Sequence, residues 1–221
     1  FSKQARLIQE DLRSLQKSCK MTDKSIRAKK KRPQEKLNIS TELAKFLNVD
    51  SSVQLSKAEV FSMPNKELIN WLNDELPKRK IKNILSGEQI ANEIAQSLTS
   101  KTELIRYDNS YESFSESLFN EIDASITKSV GAIADSGSVV LQPTTDEPRL
   151  MSLVPNTHIV LVDEESIYET FGQIMLDQNW SINMPSNTLL ISGPSKTADI
   201  EQVLAYGVHG PKELIVLILT S

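Results

Sequence analysis

An α/β fold with a mostly parallel sheet is what the sequence predicts, and three observations carry the prediction. Short apolar runs at residues 58–63, 81–86 and 103–107 alternate with longer segments of helical periodicity, the rhythm of strand–helix–strand units. The runs at 159–162 and 214–219 are apolar without alternation, as in strands covered on both faces. The loops beside the last strands concentrate turn-forming residues, as in Gly193-Pro194-Ser195 and Gly207-Val208-His209-Gly210-Pro211.

Taken in order, residues 2–18 place Ala5, Leu7, Ile8, Leu12 and Leu15 on one side of an amphipathic helix. Residues 18–36 are polar, with the basic tetrad Lys29, Lys30, Lys31 and Arg32 before Pro33, and read as a solvated linker. Residues 1–35 thus form a helical arm and basic linker, and 36–221 the α/β domain. Ser40 or Thr41 caps a helix, a strand follows at 58–63, and Pro64-Asn65 open a helix containing Leu68, Ile69, Trp71 and Leu72. A strand at 81–86, a helix at 87–98, a strand at 103–107 and a helix around 111–119 come next. Small residues in 123–134 indicate close packing at the sheet edge or the site. Residues 138–141 and 159–162 read as central strands and 166–175 as a helix.

The C-terminal stretch carries the strongest site signal. Leu189, Leu190 and Ile191 form an apolar run that stops at Gly193-Pro194, and Ser195, Thr197 and Asp199 are good helix caps. The reading is a short helix at 198–206, ended by Gly207. Free backbone N–H groups, the helix dipole and the charge of Lys196 would attract a carboxylate or phosphate there.

Composition bounds the function. The chain has 221 residues, 39% hydrophobic, a net charge of −4 and a pI near 5.4, which argues against a general nucleic-acid binder. No apolar stretch reaches the length that spans a bilayer and the first residues lack a signal-peptide core, so the expected setting is cytoplasmic. Cys19 is the single cysteine, too few for an internal disulfide or for an iron–sulfur cluster held by this chain unaided. With two histidines in all, no metal site is expected.

Two ordered runs resemble a known family. Gly193, Pro194, Ser195, Ala198, Asp199, Ile200 and Glu201, followed by Gly207, Val208, His209, Gly210 and Pro211, resemble the C-terminal signature of the lactate-utilisation protein C family, the LUD-domain proteins of bacteria. Residues 131–141 resemble its central glycine strand and 149–155 its Arg-x-x-Ser-Leu-x-Pro segment, so the likeness covers roughly residues 36–221. It implies a Rossmann-like sheet of the sugar-phosphate isomerase and CoA-transferase-like type. It also implies a cytoplasmic component of a system oxidising L-lactate to pyruvate, with no cofactor bound by this chain and iron–sulfur clusters in partner subunits. A homo-oligomer is compatible with it.

The candidate constellation follows. Ser136, Gly137, Ser138, Glu147, Arg149, Gly193, Pro194, Ser195, Lys196, Thr197, Gly207 and Gly210 form the candidate ligand-binding set, with Arg149 offering a planar fork for a small carboxylate or a nucleotide. His209 and Asp199 are the catalytic candidates, His209 as a base for a hydroxyl proton. Each has a structural alternative: His209 as a turn hydrogen-bonder, Asp199 as a compensator of the helix dipole, Arg149 as part of a surface turn, His158 as a partly buried residue preceding a strand. Two other functions stay open: a free-standing small-molecule enzyme or sensor of the CoA-transferase-like fold, and an interaction module, since residues 37–47 with 55–60 superficially resemble part of a SWIB domain.

Overall fold

The computed structural model describes residues 58–99, 101–107, 121–198, 204–206 and 210–221, with backbone alone at 196–198 and 204–206; all lie in the unit Asn38–Ser221. In chain order these form β1 (Glu59–Pro64), α1 (Leu68–Lys78), β2 (Asn83–Ser86), α2 (Glu88–Ile94), β3 (Glu103–Arg106), β4 (Ala124–Lys128), β5 (Gly131–Ile133) and β6 (Ser138–Leu141). There follow β7 (Thr157–Asp163), β8 (Ile167–Tyr168), α3 (Phe171–Asp177), β9 (Leu189–Ile191), β10 (Lys196–Ala198), β11 (Leu204–Tyr206) and β12 (Glu213–Thr220), with 3-10 turns at Asn65–Glu67, Arg149–Ser152 and Glu164–Ser166. The N-terminal arm, the helix expected from Thr41 and the helix expected around 111–119 lie outside the described residues.

Six strands pair in the order β1-β12-β7-β4-β2-β3, every pair parallel. The mostly parallel α/β expectation is therefore met. β7 and β12 are inner strands covered on both sides, which is why their sequences are apolar on both faces: Ile159 and Leu161 with Ile215 and Leu217 face one way, Val160 and Val162 with Leu214, Val216 and Ile218 the other. The first face packs against α1 and α2. Leu68, Leu72 and Leu76 of α1 recur every four residues and are buried there with Ile90 and Ile94 of α2. α1 ends at Lys78 beside Pro77, and Lys80, with φ 61°, turns the chain back toward β2.

A second, four-stranded sheet in the order β8-β5-β6-β9 covers the other face, through Ala132, Val139 and Leu141. Here four expectations change. The small-residue stretch 123–134 divides into β4 and β5, one strand in each sheet, because the Ser129 and Val130 amides turn to bond Leu161 and Val140 carbonyls. Residues 166–175 are not one helix: Ile167 and Tyr168 pair with Ala132 and Ile133, so α3 starts only at Phe171. β6 is an inner strand of the smaller sheet, and β9 is its antiparallel edge rather than a member of the parallel sheet. α2 stops at Ile94, short of the expected 98.

The helix expected at 198–206 is overturned. Lys196–Ala198 and Leu204–Tyr206 are antiparallel strands, with Lys196 opposite Tyr206 and Ala198 opposite Leu204. Ser195, Thr197 and Asp199 suit turns and extended chain as well as caps, and Thr197 and Tyr206 favour extended backbone. The pairing settles the choice, and the dipole of a helix at 198–206 no longer supplies a reason for an anion to bind this loop.

Candidate functional site

At one place in the main sheet the connections leave in opposite directions. β2 passes the chain outward to β3, whereas its neighbour β4 passes it inward, through β5 and β6, to β7. A reversal of this kind opens a crevice outside the carboxyl ends of the two strands, the usual ligand position in open α/β sheets. Gly87 follows β2 there, and Lys128 is the last residue of β4.

The segment after β6 closes over this crevice. Gly87 occupies the N-cap of α2 and has no side chain to cap with, so Asp146 does so from elsewhere in the chain: its Oδ1 accepts from the Glu88 N–H at 2.6 Å and its Oδ2 from the Gln89 N–H at 3.5 Å. The fit is close. A Cβ on Gly87 would lie 2.7 Å from Asp146 Oδ2 and 2.8 Å from Glu147 Cγ. Glu147 is fixed at its backbone by a reciprocal turn, its N–H donating to Thr144 Oγ1 at 2.9 Å and its carbonyl accepting from the Thr144 N–H at 3.0 Å. Its Oε2 accepts from the Lys128 N–H at 3.0 Å.

Glu147, Thr127, Lys128, Gln142 and Ser152 line a small recess of about 10 Å³. That volume takes one water-sized group. Among the described residues no cation lies within 4 Å of Glu147. Burial pushes its carboxyl up to about 7, with the neighbouring Asp146 carboxylate acting in the same direction and the Lys128 amide opposing. A carboxyl of that kind exchanges its proton near neutral pH.

His158 stands behind the recess. It lies within β7, fully buried, where the sequence suggested partial burial ahead of a strand. Its Nε2 is 2.9 Å from Thr127 Oγ1, and its Nδ1 is buried with no partner. Burial lowers its pKa to about 3, so the ring is neutral. An orphaned N–H costs more than an orphaned lone pair, which places the proton on Nε2, donating to Thr127. The Thr127 hydroxyl proton is then directed away from His158.

The sequence-derived constellation is divided among several places. Glu147 is in the crevice, and Arg149 follows two residues later, exposed, on the 3-10 turn. Gly193, Pro194, Ser195 and Gly210 belong elsewhere: the Ser195 N–H donates to the Pro211 carbonyl at 2.8 Å, and a Cβ on Gly210 would lie 3.1 Å from Ser195 Cβ. Pro211 precedes β12, and the Lys212 and Glu213 amides bond the Asn156 carbonyl just ahead of β7, so this loop pair is at the amino ends of the strands. It lies there because β9 joins the antiparallel sheet instead of leading into the parallel one. Gly137, φ 58°, closes the β5–β6 hairpin with its N–H on the Ala134 carbonyl, and Ser138 is buried beside Ser136 with Oγ 3.4 Å from its carbonyl. Lys196 and Thr197 are in β10, while Asp199, Gly207 and His209 lie outside the described residues. Sequence reasoning missed Gly87, Thr127 and Asp146; the break of an apolar run at Ser86-Gly87 before a helix was the available signal for the first.

Residues 49–219 match the model of the LUD domain. The chain belongs to the LUD domain family. This LUD domain is 32% identical over 183 residues to an uncharacterized protein of Neisseria meningitidis serogroup B, a match covering 80% of this chain and 78% of that protein. It is 28% identical over 181 residues to the uncharacterized protein YkgG of Escherichia coli K12, covering 79% and 78%. Lactate utilization protein C of Bacillus subtilis is 36% identical over 105 residues, 46% of this chain and 44% of that protein, so the likeness spans about half of it. A crystal structure of a DUF162 family protein from Deinococcus radiodurans superposes with a TM-score of 0.59 at 20% identity, covering 85% of this chain and 98% of that one, which supports the fold. Among the described residues no helix is long and apolar enough to cross a membrane, and no three His, Cys, Asp or Glu side chains are grouped to hold a metal ion.

Proposed function

We propose that this LUD domain works in L-lactate utilisation, as a component of an assembly that oxidises L-lactate to pyruvate with iron–sulfur partner subunits, and that it binds a small carboxylate. Family membership and the likeness to proteins named lactate utilization protein C support the pathway. The observation that supports a ligand role is the crevice at the β2–β4 reversal, which holds a partly buried carboxyl, Glu147, without a neutralising partner. Structural carboxylates are ordinarily paired when buried, so an unpaired one beside a recess suits a site that exchanges protons with something bound. With one cysteine the chain depends on its partners for electron acceptance: removal of two electrons and two protons from lactate needs redox centres that they supply.

Expression of the full chain in Bacillus subtilis lacking its lactate utilization protein C tests the reading. Growth on L-lactate, with growth on glucose as control, is the expected result. Failure of the well-expressed chain to support growth on lactate would remove the assignment.

A further inference from the structure

We propose that Glu147 is the acid–base group of the crevice between β2 and β4, exchanging a proton with the hydroxyl of a small 2-hydroxy carboxylate, and that Thr127, held by His158, orients that hydroxyl. The proposal rests on the crevice being the ligand site of the function proposed above, but its core, proton exchange at Glu147, stands on local geometry.

That geometry isolates one oxygen. Oε2 is committed to the Lys128 N–H at 3.0 Å, whereas Oε1 has no hydrogen bond among the described residues. The charged groups around it come from every element at the crevice. Lys128 at the end of β4 offers its amide and keeps its ammonium beyond ion-pair distance, Asp146 is engaged with the start of α2, and Glu88 and Arg149 are exposed. None forms an ion pair with Glu147, and the Lys128 charge opposes its burial only weakly, from a distance. The absence of a Cβ at Gly87 lets both carboxyl-bearing side chains close on the strand end. Thr127 supplies the second contact, because a hydroxyl that accepts from His158 Nε2 has its own proton free for a ligand oxygen at the recess.

The step is a proton transfer alone. The O–H bond of the hydroxy acid breaks, the proton bonds to Glu147 Oε1, and the electron pair stays on the ligand oxygen, which the Thr127 hydroxyl steadies by donating a hydrogen bond. In the reverse direction the same proton returns. His158 touches no ligand and acts as a positioning residue.

Two readouts test this on the full chain. The first is a carboxyl-carbon NMR titration with labelled glutamate, Glu147→Gln providing the assignment. A resonance that titrates near neutral pH and vanishes in Glu147→Gln supports the proposal, and a Glu147 signal in the ordinary carboxylate range overturns it. The second is L-lactate oxidation by Bacillus subtilis cells carrying the chain in place of their own lactate utilization protein C. Glu147→Gln should lower the rate about a hundredfold, the usual scale for a lost acid–base group, Thr127→Val should also lower it, and Thr127→Ser should rescue it. The Glu147→Gln variant is expected to fold, because the side-chain carbonyl of a glutamine can still accept from the Lys128 N–H, and Glu147→Asp gives a second variant that keeps the acid but withdraws it. Wild-type rates in Glu147→Gln cells would overturn the proposal. If the unaltered chain fails to support lactate oxidation while Glu147 titrates near neutrality, the lactate assignment falls and proton exchange at Glu147 stands.

Discussion

Replacing Glu147 by glutamine should change how stability depends on pH, and the direction follows from two buried groups of opposite character. Glu147 has its carboxyl raised from 4.5 to about 7, so between those values the folded chain holds a proton that the unfolded chain has lost, and stability falls as pH rises. His158 is lowered from 6.5 to about 3, so between those values the unfolded chain holds the extra proton, and stability rises with pH. Each slope is about 1.4 kcal/mol per pH unit, and from pH 4.5 to 6.5 they oppose one another. The wild-type chain should therefore vary little in that interval. Glu147→Gln removes the falling slope, so the variant gains on wild type by about 3 kcal/mol between pH 4.5 and 8, an upper figure because the side chain is only partly buried. Urea unfolding followed by the fluorescence of Trp71 and Trp180 at pH 4.5, 5.5, 6.5 and 8 measures the difference. Parallel stability curves for the two proteins would refute the reasoning.

Four further outcomes are expected. His158→Leu should remove the opposing slope and expose that of Glu147, so that between pH 4.5 and 6.5 the variant loses stability as pH rises where the wild type varies little, in the same unfolding series. Asp146→Ala removes the cap of α2 and should cost about 1 kcal/mol by urea titration, and an unchanged midpoint would mean the close contacts with Glu88 and Gln89 carry no energy. Gly87→Ala drives a methyl into Asp146 and Glu147 and should destabilise by about 1–3 kcal/mol, with loss of lactate-dependent growth. Arg149→Ala, at an exposed position, should leave thermal stability within about 0.5 kcal/mol of wild type while weakening lactate-dependent growth; full growth would remove Arg149 from the site.

The parallel sheet was legible because its inner strands announce themselves: residues 159–162 and 214–219 are apolar on consecutive positions, and 58–63 and 81–86 stand beside helices whose leucines recur at the right spacing. Of the smaller sheet only the runs 138–141 and 189–191 were legible, as separate strands and not as one sheet. Its strands are two to four residues long, too short for a period to show, and they form because β5 and β6 can cover Val160 and Val216, a fact of tertiary packing. The segment after Gly193 misled for another reason. Ser195, Thr197 and Asp199 satisfy helix-cap rules, yet the strand pairing of Lys196 with Tyr206 outweighs them. Glu147 and Arg149 entered the candidate site through family likeness, but the unpaired state of Glu147 depends on Gly87 and Lys128, about sixty and twenty residues earlier in the chain. No local pattern encodes that.

The placement of β12 between β1 and β7 bears on how the protein is made. The strand translated last among those described is the one that bridges the first to the rest, and its apolar side chains complete the packing on both faces of the sheet. Until the ribosome has released residues past Thr220, β1 has no strand to pair with and the edge of β7 is bare. Such long-range closure slows folding and leaves apolar surface open during synthesis, so a nascent chain stalled before Leu214 is the form most dependent on chaperones.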